Sequence, residues 1–187
     1  MKIIFYLITL FASTFCYSQE KAHEDEIIYV KIHTLEEVIY TTNLMQFYLS
    51  KDKNENRLAK ETVEQLWRDM VSNCDALISK FPNSEYFFET LYTKASIEQA
   101  LGNINIAKEF YEKVLNFETT KTALKNKSLR ALAFLIIEEK DFTKALNYLD
   151  QIKNYKVYYD CGVPYLGDKK SLEIMYMKCY DGLNKKQ

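Results

Sequence analysis

One pattern of small and bulky side chains recurs along the chain and limits the folds that it can adopt. Ala107 is followed by the bulkier Tyr111 four positions later, and Ala145 is followed by Leu149 in the same way. Each pair has an apolar residue three positions further on, and Met70 begins a matching segment upstream. The first residues of the three segments lie 37 and 38 positions apart. A small residue lets two helix backbones approach closely, and a repeat of this length is typical of stacked helix hairpins.

The chain is also poor in the residues that make turns. Only 4 of its 187 residues are Gly and 2 are Pro, whereas 48% are hydrophobic. Because few turns imply long elements, we expect an all-α protein, with one domain as the starting assumption at this length. The 25 basic and 26 acidic residues give a formal charge of −1, which argues against a polybasic protein that binds nucleic acid.

Hydrophobic spacing and capping residues predict about seven helices. Thr34 and Glu37 form a capping box, which predicts that the first helix begins there, while residues 26–33 are compatible with a short strand or an early helical turn. Gly102 is placed to end the helix before it in the left-handed conformation, and Asp141 is placed to cap the predicted sixth helix. The predicted helices span residues 34–50, 57–80, 84–101, 106–117, 124–140, 141–153 and 171–184, with a loop at 51–56.

These segments resemble the tetratricopeptide repeat family. The Gly, Ala and aromatic positions of the family are matched by Gly102, Ala107 and Tyr111, and Ala145 and Leu149 match in the following repeat. The resemblance implies a right-handed α-solenoid of antiparallel helix pairs over residues 34–187.

Other positions both extend and limit this resemblance. Pro82-Asn83 matches the end of a repeat in the family, whereas Lys140 stands where the family has a second Gly. Lys94 and Glu98 stand where the family prefers Leu and Tyr.

In this family the first helices of successive pairs line a concave groove that binds peptides. The resemblance therefore implies that two groups of side chains bind a partner, with Lys178 added from the last helix. The groups are Tyr92, Ser96 and Gln99, accompanied by Glu89 and Thr93, and Lys127, Arg130 and Phe134. Arg is well suited to bidentate binding of a carboxylate. The alternative is an ordinary charged helix face.

The N-terminus has the pattern of a secretory signal peptide. Lys2 precedes the apolar run 3–12, and small residues at Cys16 and Ser18 predict cleavage before Gln19. We therefore expect residues 1–18 to be a signal peptide, 19–33 an acidic, irregular leader, and the protein to be periplasmic or secreted. A buried N-terminal helix and lipidation at Cys16 are the alternatives.

Export changes the expectation for the remaining cysteines. Cys161 lies in a turn-rich stretch and Cys179 in the helix after it, and the two are predicted to form a disulfide. Cys74 lies at an apolar helical position and is predicted to be a buried thiol. Three free thiols are the alternative. The spacing of the Cys and His residues does not suit a zinc site, and no cofactor is expected.

A turn-rich stretch at 154–168 is rich in tyrosine. Tyr158, Tyr159 and Tyr165 lie in it, and Tyr is suited to wet protein interfaces because it combines a rigid ring with a polar tip. We expect these residues to contact a partner. The alternative is that the rings fold back and cover the last helix.

The sequence carries no motif of a known enzyme class, such as a phosphate-binding loop, a nucleophile elbow or an HExxH helix. We therefore predict a non-enzymatic scaffold that binds a protein or peptide, with no nucleic acid, small-molecule substrate or membrane span. A structural subunit of an envelope assembly is the first alternative. A thiol-dependent enzyme is the second.

Overall fold

The computed structural model describes residues 23–42, 44–50, 53–118, 120–155 and 166–185. Within these ranges every regular element is an α-helix, and there are eight of them. The helices are α1 Glu24–Thr41, α2 Leu44–Tyr48, α3 Lys53–Lys80, α4 Phe87–Ala100, α5 Ile104–Asn116, α6 Thr122–Glu138, α7 Phe142–Ile152 and α8 Leu166–Asn184. The prediction of an all-α protein is thus confirmed for the described residues.

The chain divides into two compact units, Met1–Thr90 and Leu91–Gln187, which we call the N-terminal and C-terminal units. In the N-terminal unit, α1 and α2 both pack against α3. In the C-terminal unit, α5 packs against α6, α6 against α7, and α7 against α8, so neighbouring helices form pairs. None of the described helices is both long enough and apolar enough to cross a bilayer.

Helix α1 begins ten residues before the predicted capping box. Its first turn carries Glu24, Asp25 and Glu26, whose negative charges stabilise a helix N-terminus because they interact favourably with the positive end of the helix dipole. Ile28 and Ile32 are buried along one face. Residues 26–33, for which a strand and a helical turn were both open, are therefore helical, and the leader predicted as irregular at 19–33 is helical from Glu24 onward.

The predicted capping box at Thr34 is wrong. Thr34 lies inside α1, and its hydroxyl donates a hydrogen bond of 2.8 Å to the carbonyl of Val30. The buried face of α1 extends past Thr34 to Ile39. Packing of this face against the core therefore keeps Thr34 inside the helix, although Thr is also a suitable capping residue.

The predicted first helix, 34–50, is also divided in two, which accounts for the eighth helix. Helix α1 ends at Thr41, and α2 begins at Leu44. Both Thr41 and Thr42 donate their hydroxyls to carbonyls one turn earlier, those of Glu37 and Val38. Helix α3 then begins at Lys53, inside the predicted loop, and ends at Lys80 as predicted.

The recurring small residues are buried as the repeat predicts. Ala107 and Ala145 are completely buried, and Tyr111 and Leu149, four positions later, are 2% and 1% exposed. Ala107 and Tyr111 form one apolar cluster with Ala95, Leu132 and Leu135, which joins α4, α5 and α6. A second cluster joins α6, α7 and α8 around Ala133, Ala145, Leu149 and Cys179.

Two helices of the C-terminal unit end with the same backbone turn. Gly102 has φ 83° and Lys140 has φ 62°, both in the left-handed region. The next residue in each case donates its N–H to a carbonyl five positions earlier, Asn103 to Glu98 at 2.8 Å and Asp141 to Ile136 at 3.2 Å. Lys140 therefore has the left-handed conformation that Gly commonly has at the end of a helix. The Asp141 side chain accepts from the N–H of Lys144 at 3.1 Å, which confirms the predicted cap.

Candidate functional site

The six groove residues that the sequence predicts in α4 and α6 are close together in the C-terminal unit. Tyr92, Ser96 and Gln99 project from one face of α4, and Lys127, Arg130 and Phe134 project from one face of α6. Spacings of three and four residues place each trio on one side of its helix. Together they line an open groove of about 540 Å³, which we call the α4–α6 groove.

Buried residues on the adjacent faces of the same helices fix this arrangement. Ala95, next to Ser96, is completely buried and packs in one cluster with Leu132 and Leu135 of α6. Because Ala95 has only a methyl group, it leaves room for Leu132 and Leu135 to pack in the same cluster, and the flanking side chains of both helices line the groove.

Tyr111 and Met175 also reach the α4–α6 groove, from α5 and α8, and the sequence analysis did not predict either of them there. The Tyr111 hydroxyl donates a hydrogen bond of 3.0 Å to Oε1 of Gln99. Its ring lies 5.7 Å from that of Tyr92, centroid to centroid. The repeat pattern indicates only that the Tyr111 side chain fills space in the core. Its ring is buried as expected, but the side chain is long enough for its hydroxyl to reach the groove.

Both tyrosines of the groove remain neutral at physiological pH. Burial raises the pKa of Tyr92 and, together with the proximity of Tyr92, raises that of Tyr111 well above the usual value of 10.0. The groove therefore has hydroxyls that can donate and accept hydrogen bonds, without negative charge.

The positive charges of the groove come from α6. Arg130 Nε donates a hydrogen bond of 2.7 Å to Oδ1 of Asn126. Asn126 is buried and donates its Nδ2 to the carbonyl of Tyr155 at 2.7 Å, so it has a fixed orientation. Lys127 is exposed, and its Nζ lies 5.7 Å from the centroid of the Tyr92 ring. Neither Asp nor Glu is among the described residues that line the groove.

A second, more apolar cavity of about 360 Å³ adjoins the groove between α6 and α8. The two share Phe134 and Met175, and Ile137 and Ile174 complete the apolar lining. Lys178, predicted for the groove, lines this second cavity instead, and its Nζ lies 4.0 Å from a carboxylate oxygen of Glu138.

Two further residues implied by the resemblance do not line the α4–α6 groove. Glu89 accepts a hydrogen bond of 3.1 Å from the hydroxyl of Tyr29 in the N-terminal unit. Thr93 lies on α4 next to Tyr92 but is not part of the lining. The first turn of α4 thus serves the packing of the N-terminal unit.

The predicted tyrosine contacts cannot be placed. Tyr158, Tyr159, Tyr165 and Cys161 lie outside the described residues, so their roles stay predictions. Of this stretch the structure places Tyr155, whose ring centroid is 5.7 Å from Nζ of Lys125.

Cys179 lies in the core of the C-terminal unit and is completely buried. Burial raises the pKa of its thiol, which disfavours the reactive thiolate. No disulfide joins it to another described residue, and the predicted pairing with Cys161 stays a prediction. Among the described residues no group of His, Cys, Asp and Glu side chains is arranged to hold a metal ion.

Comparisons with protein-family models, with curated proteins and with solved structures find no match to this chain. Its function has to be inferred from the groove itself.

Proposed function

We propose that this protein is a non-enzymatic scaffold that binds an acidic peptide or protein segment in the α4–α6 groove. The observation that carries the proposal is the lining of that groove, where Lys127 and Arg130 stand beside the neutral aromatic residues Tyr92, Tyr111 and Phe134. A positive, partly apolar concave surface is complementary to a segment that has both carboxylates and apolar side chains.

The orientation of Arg130 supports binding of a carboxylate. Asn126 accepts the Nε–H at 2.7 Å and thereby sets the plane of the guanidinium. An oriented guanidinium loses less conformational entropy when it pairs with a carboxylate than a flexible Lys does. Charge-assisted hydrogen bonds of this kind contribute about 1.5–3 kcal/mol each.

The aromatic residues supply the apolar part of the surface. The Phe134 side chain is 42% exposed although it is large and hydrophobic. Exposed ion contacts alone contribute only about 0–1 kcal/mol each, so useful affinity requires burial of such a ring against the partner. Tyr92 stands on the opposite wall and offers a second ring for this purpose.

The tetratricopeptide type of the scaffold, a right-handed solenoid of helix pairs, is supported by the burial of Ala107 and Ala145 in successive hairpins. The signal-peptide pattern of residues 1–18 supports a site of action in the periplasm or outside the cell. This role needs neither catalytic residues nor a cofactor.

A structural assembly subunit without a peptide groove is the second candidate. The exposed Ile174 and Met177 of α8 favour it, because both present apolar surface and neither lines the α4–α6 groove. A thiol-dependent enzyme has less support, since the burial that raises the pKa of Cys179 also keeps a substrate from its sulfur.

An array of short peptides tests the groove. It contains acidic peptides with aromatic or aliphatic residues, and the same peptides with Asn and Gln in place of Asp and Glu. The full chain is expected to bind the acidic series, and Arg130→Glu is expected to weaken binding by about 10–100-fold, the equivalent of one charge-assisted hydrogen bond. Tyr92→Ala is expected to weaken binding to both series.

Lys121→Glu is the matched control, because Lys121 is exposed just before α6 and does not line the groove. Circular dichroism checks that each variant is folded. Equal binding by the wild type, Arg130→Glu and Tyr92→Ala would exclude the groove as the site and favour the assembly subunit.

A further inference from the structure

Helix α8 has one face in the core and an opposite face that is largely exposed, although Lys170 and Ile174 on that face also line the second cavity, between α6 and α8. Cys179 is completely buried, and Leu172, Met175 and Tyr176 pack against the same apolar cluster. Since successive residues turn by about 100° around a helix, the opposite face carries four other residues. These are Lys170, Ile174, Met177 and Asp181, which we call the outer face of α8.

The centre of the outer face is apolar. Ile174 is 47% exposed and Met177 is 64% exposed, and Tyr180 beside them is 55% exposed. Large apolar side chains grouped on one helix face indicate a surface that binds another protein.

The charges of the outer face are arranged with opposite signs at its two ends. Lys170 lies four residues before Ile174, and Asp181 lies four residues after Met177. Both are exposed, and in the described part of the chain neither side chain has an ion-pair partner.

This arrangement is self-complementary when two copies of the helix pair in opposite directions. The Ile174 side chain then lies beside Met177 of the other copy, in the manner of facing core positions of a coiled coil. Lys170 then faces Asp181 of the other copy at both ends of the contact. A parallel pair would instead place Lys170 against Lys170 and Asp181 against Asp181, which like-charge repulsion disfavours.

A flanking pair supports the antiparallel direction. Glu173 and Tyr180 lie on the same side of the outer face, and antiparallel pairing brings Tyr180 of one copy next to Glu173 of the other. Hydrogen bonds from a tyrosine hydroxyl to a carboxylate already join neighbouring helices of the C-terminal unit. Tyr148 donates to Glu112 and Tyr176 donates to Asp150, both at 3.0 Å.

We propose that the outer face of α8 is a homodimer interface in which two copies of the chain pair antiparallel through Ile174 and Met177. A single helix from each copy provides a contact at or below the lower end of the about 1,200–2,000 Å² that stable interfaces bury, so the dimer is weak and its population depends on concentration. None of the four outer-face residues lines the α4–α6 groove, so the interface does not depend on a partner being bound there, although Lys170 and Ile174 line the adjoining cavity.

Sedimentation equilibrium of the full chain over a wide concentration range tests this interface. The wild type is expected to dimerise reversibly. Lys170→Asp places two carboxylates together at each end, and Asp181→Lys places two ammonium groups together, so each single variant is expected to weaken the dimer by about tenfold. The double variant is expected to dimerise as the wild type does, because it restores opposite charges.

A mixture of the two single variants gives the sharpest result. Each chain in the mixed pair meets its opposite charge at both ends, so the mixture is expected to form heterodimers although neither variant dimerises well alone. Lys169→Asp is the matched control, since Lys169 is exposed on the same helix but lies about 100° away from Lys170.

Three outcomes would overturn the proposal. They are a monomer at every concentration, a dimer that both single variants leave unchanged, and a dimer that neither the double variant nor the mixture restores. Circular dichroism of each variant separates a lost interface from a lost fold.

Discussion

Arg130 is held by Asn126, whose Oδ1 accepts a hydrogen bond of 2.7 Å from the Nε of the guanidinium. The same Asn side chain donates to the carbonyl of Tyr155, so one buried amide orients a cation of the groove and also fixes the chain just after α7. This link between a surface charge and a buried hydrogen bond connects the proposed binding site to the stability of the fold.

Replacing Asn126 by Ala is expected to destabilise the protein by about 1–3 kcal/mol, because the part-buried hydrogen bond to the carbonyl of Tyr155 is lost. Urea unfolding measures the change. Asn105→Ala is the control, since Asn105 is exposed. A loss no larger than that of the control would show that the amide does not hold the chain after α7.

Substitutions at the two left-handed residues are expected to have opposite signs. Lys140→Gly is expected to stabilise the protein by about 1 kcal/mol, because a residue with a Cβ is strained at φ 62°. Gly102→Ala is expected to destabilise the protein by a similar amount. An added Cβ at position 102 would meet no atom within 4 Å, so the cost comes from the backbone conformation and not from a clash. Thermal unfolding measures both, and changes of the same sign would contradict the shared helix ending.

Enlarging the small residues of the repeat tests the close approach of the helices. Ala107→Leu and Ala145→Leu are each expected to destabilise the fold by about 1–3 kcal/mol, because both alanines are completely buried and added methyl groups force the helices apart. Ala100→Leu, at an exposed position of α4, is the control. Denaturant unfolding that leaves all three variants equally stable would contradict the packing described above.

The pH dependence of stability has a contribution from Tyr148. Burial, and then the hydrogen bond to Glu112 and its negative charge, raise the pKa of this phenol from 10.0 to about 12. The folded state therefore favours the neutral phenol. This contribution is fully present below pH 10 and is lost as the pH rises towards 12.

Tyr148→Phe is accordingly expected to reduce the fall in stability between pH 10 and 12, measured as the change in urea midpoint with pH. The exposed Tyr40 provides the control variant, Tyr40→Phe. Parallel pH profiles for the wild type and Tyr148→Phe would contradict the contribution.

The parts of the fold that depend on spacing along the chain were predictable. The positions of α4 to α7 follow from apolar residues at helical spacing and from Gly102 and Asp141, which act on their own neighbours. The six residues of the α4–α6 groove were implied by the resemblance to the tetratricopeptide repeat family, and helix periodicity explains why Tyr92 and Ser96, and likewise Lys127 and Arg130, share a face.

The parts that depend on contacts between distant residues were not predictable in this way. Thr34 has the local signature of a cap, but burial of Ile32 and Ile39 against the core outweighs it. Asn126 was not singled out, because its partner Tyr155 lies 29 residues away. Tyr111 combines a buried ring with a hydroxyl in the groove. The periodic pattern of apolar residues predicts the burial of the ring but not the position of the hydroxyl.

Amide chemical-shift mapping by NMR, with the full chain and the tightest acidic peptide from the array, tests the central claim most directly. The account predicts that the shifts are concentrated at Tyr92 and Gln99 on α4 and at Lys127 and Arg130 on α6. The side-chain Nε–H of Arg130 is expected to shift most as its guanidinium pairs with a carboxylate. Shifts confined to other helices, with the amides of α4 and α6 unchanged, would contradict it.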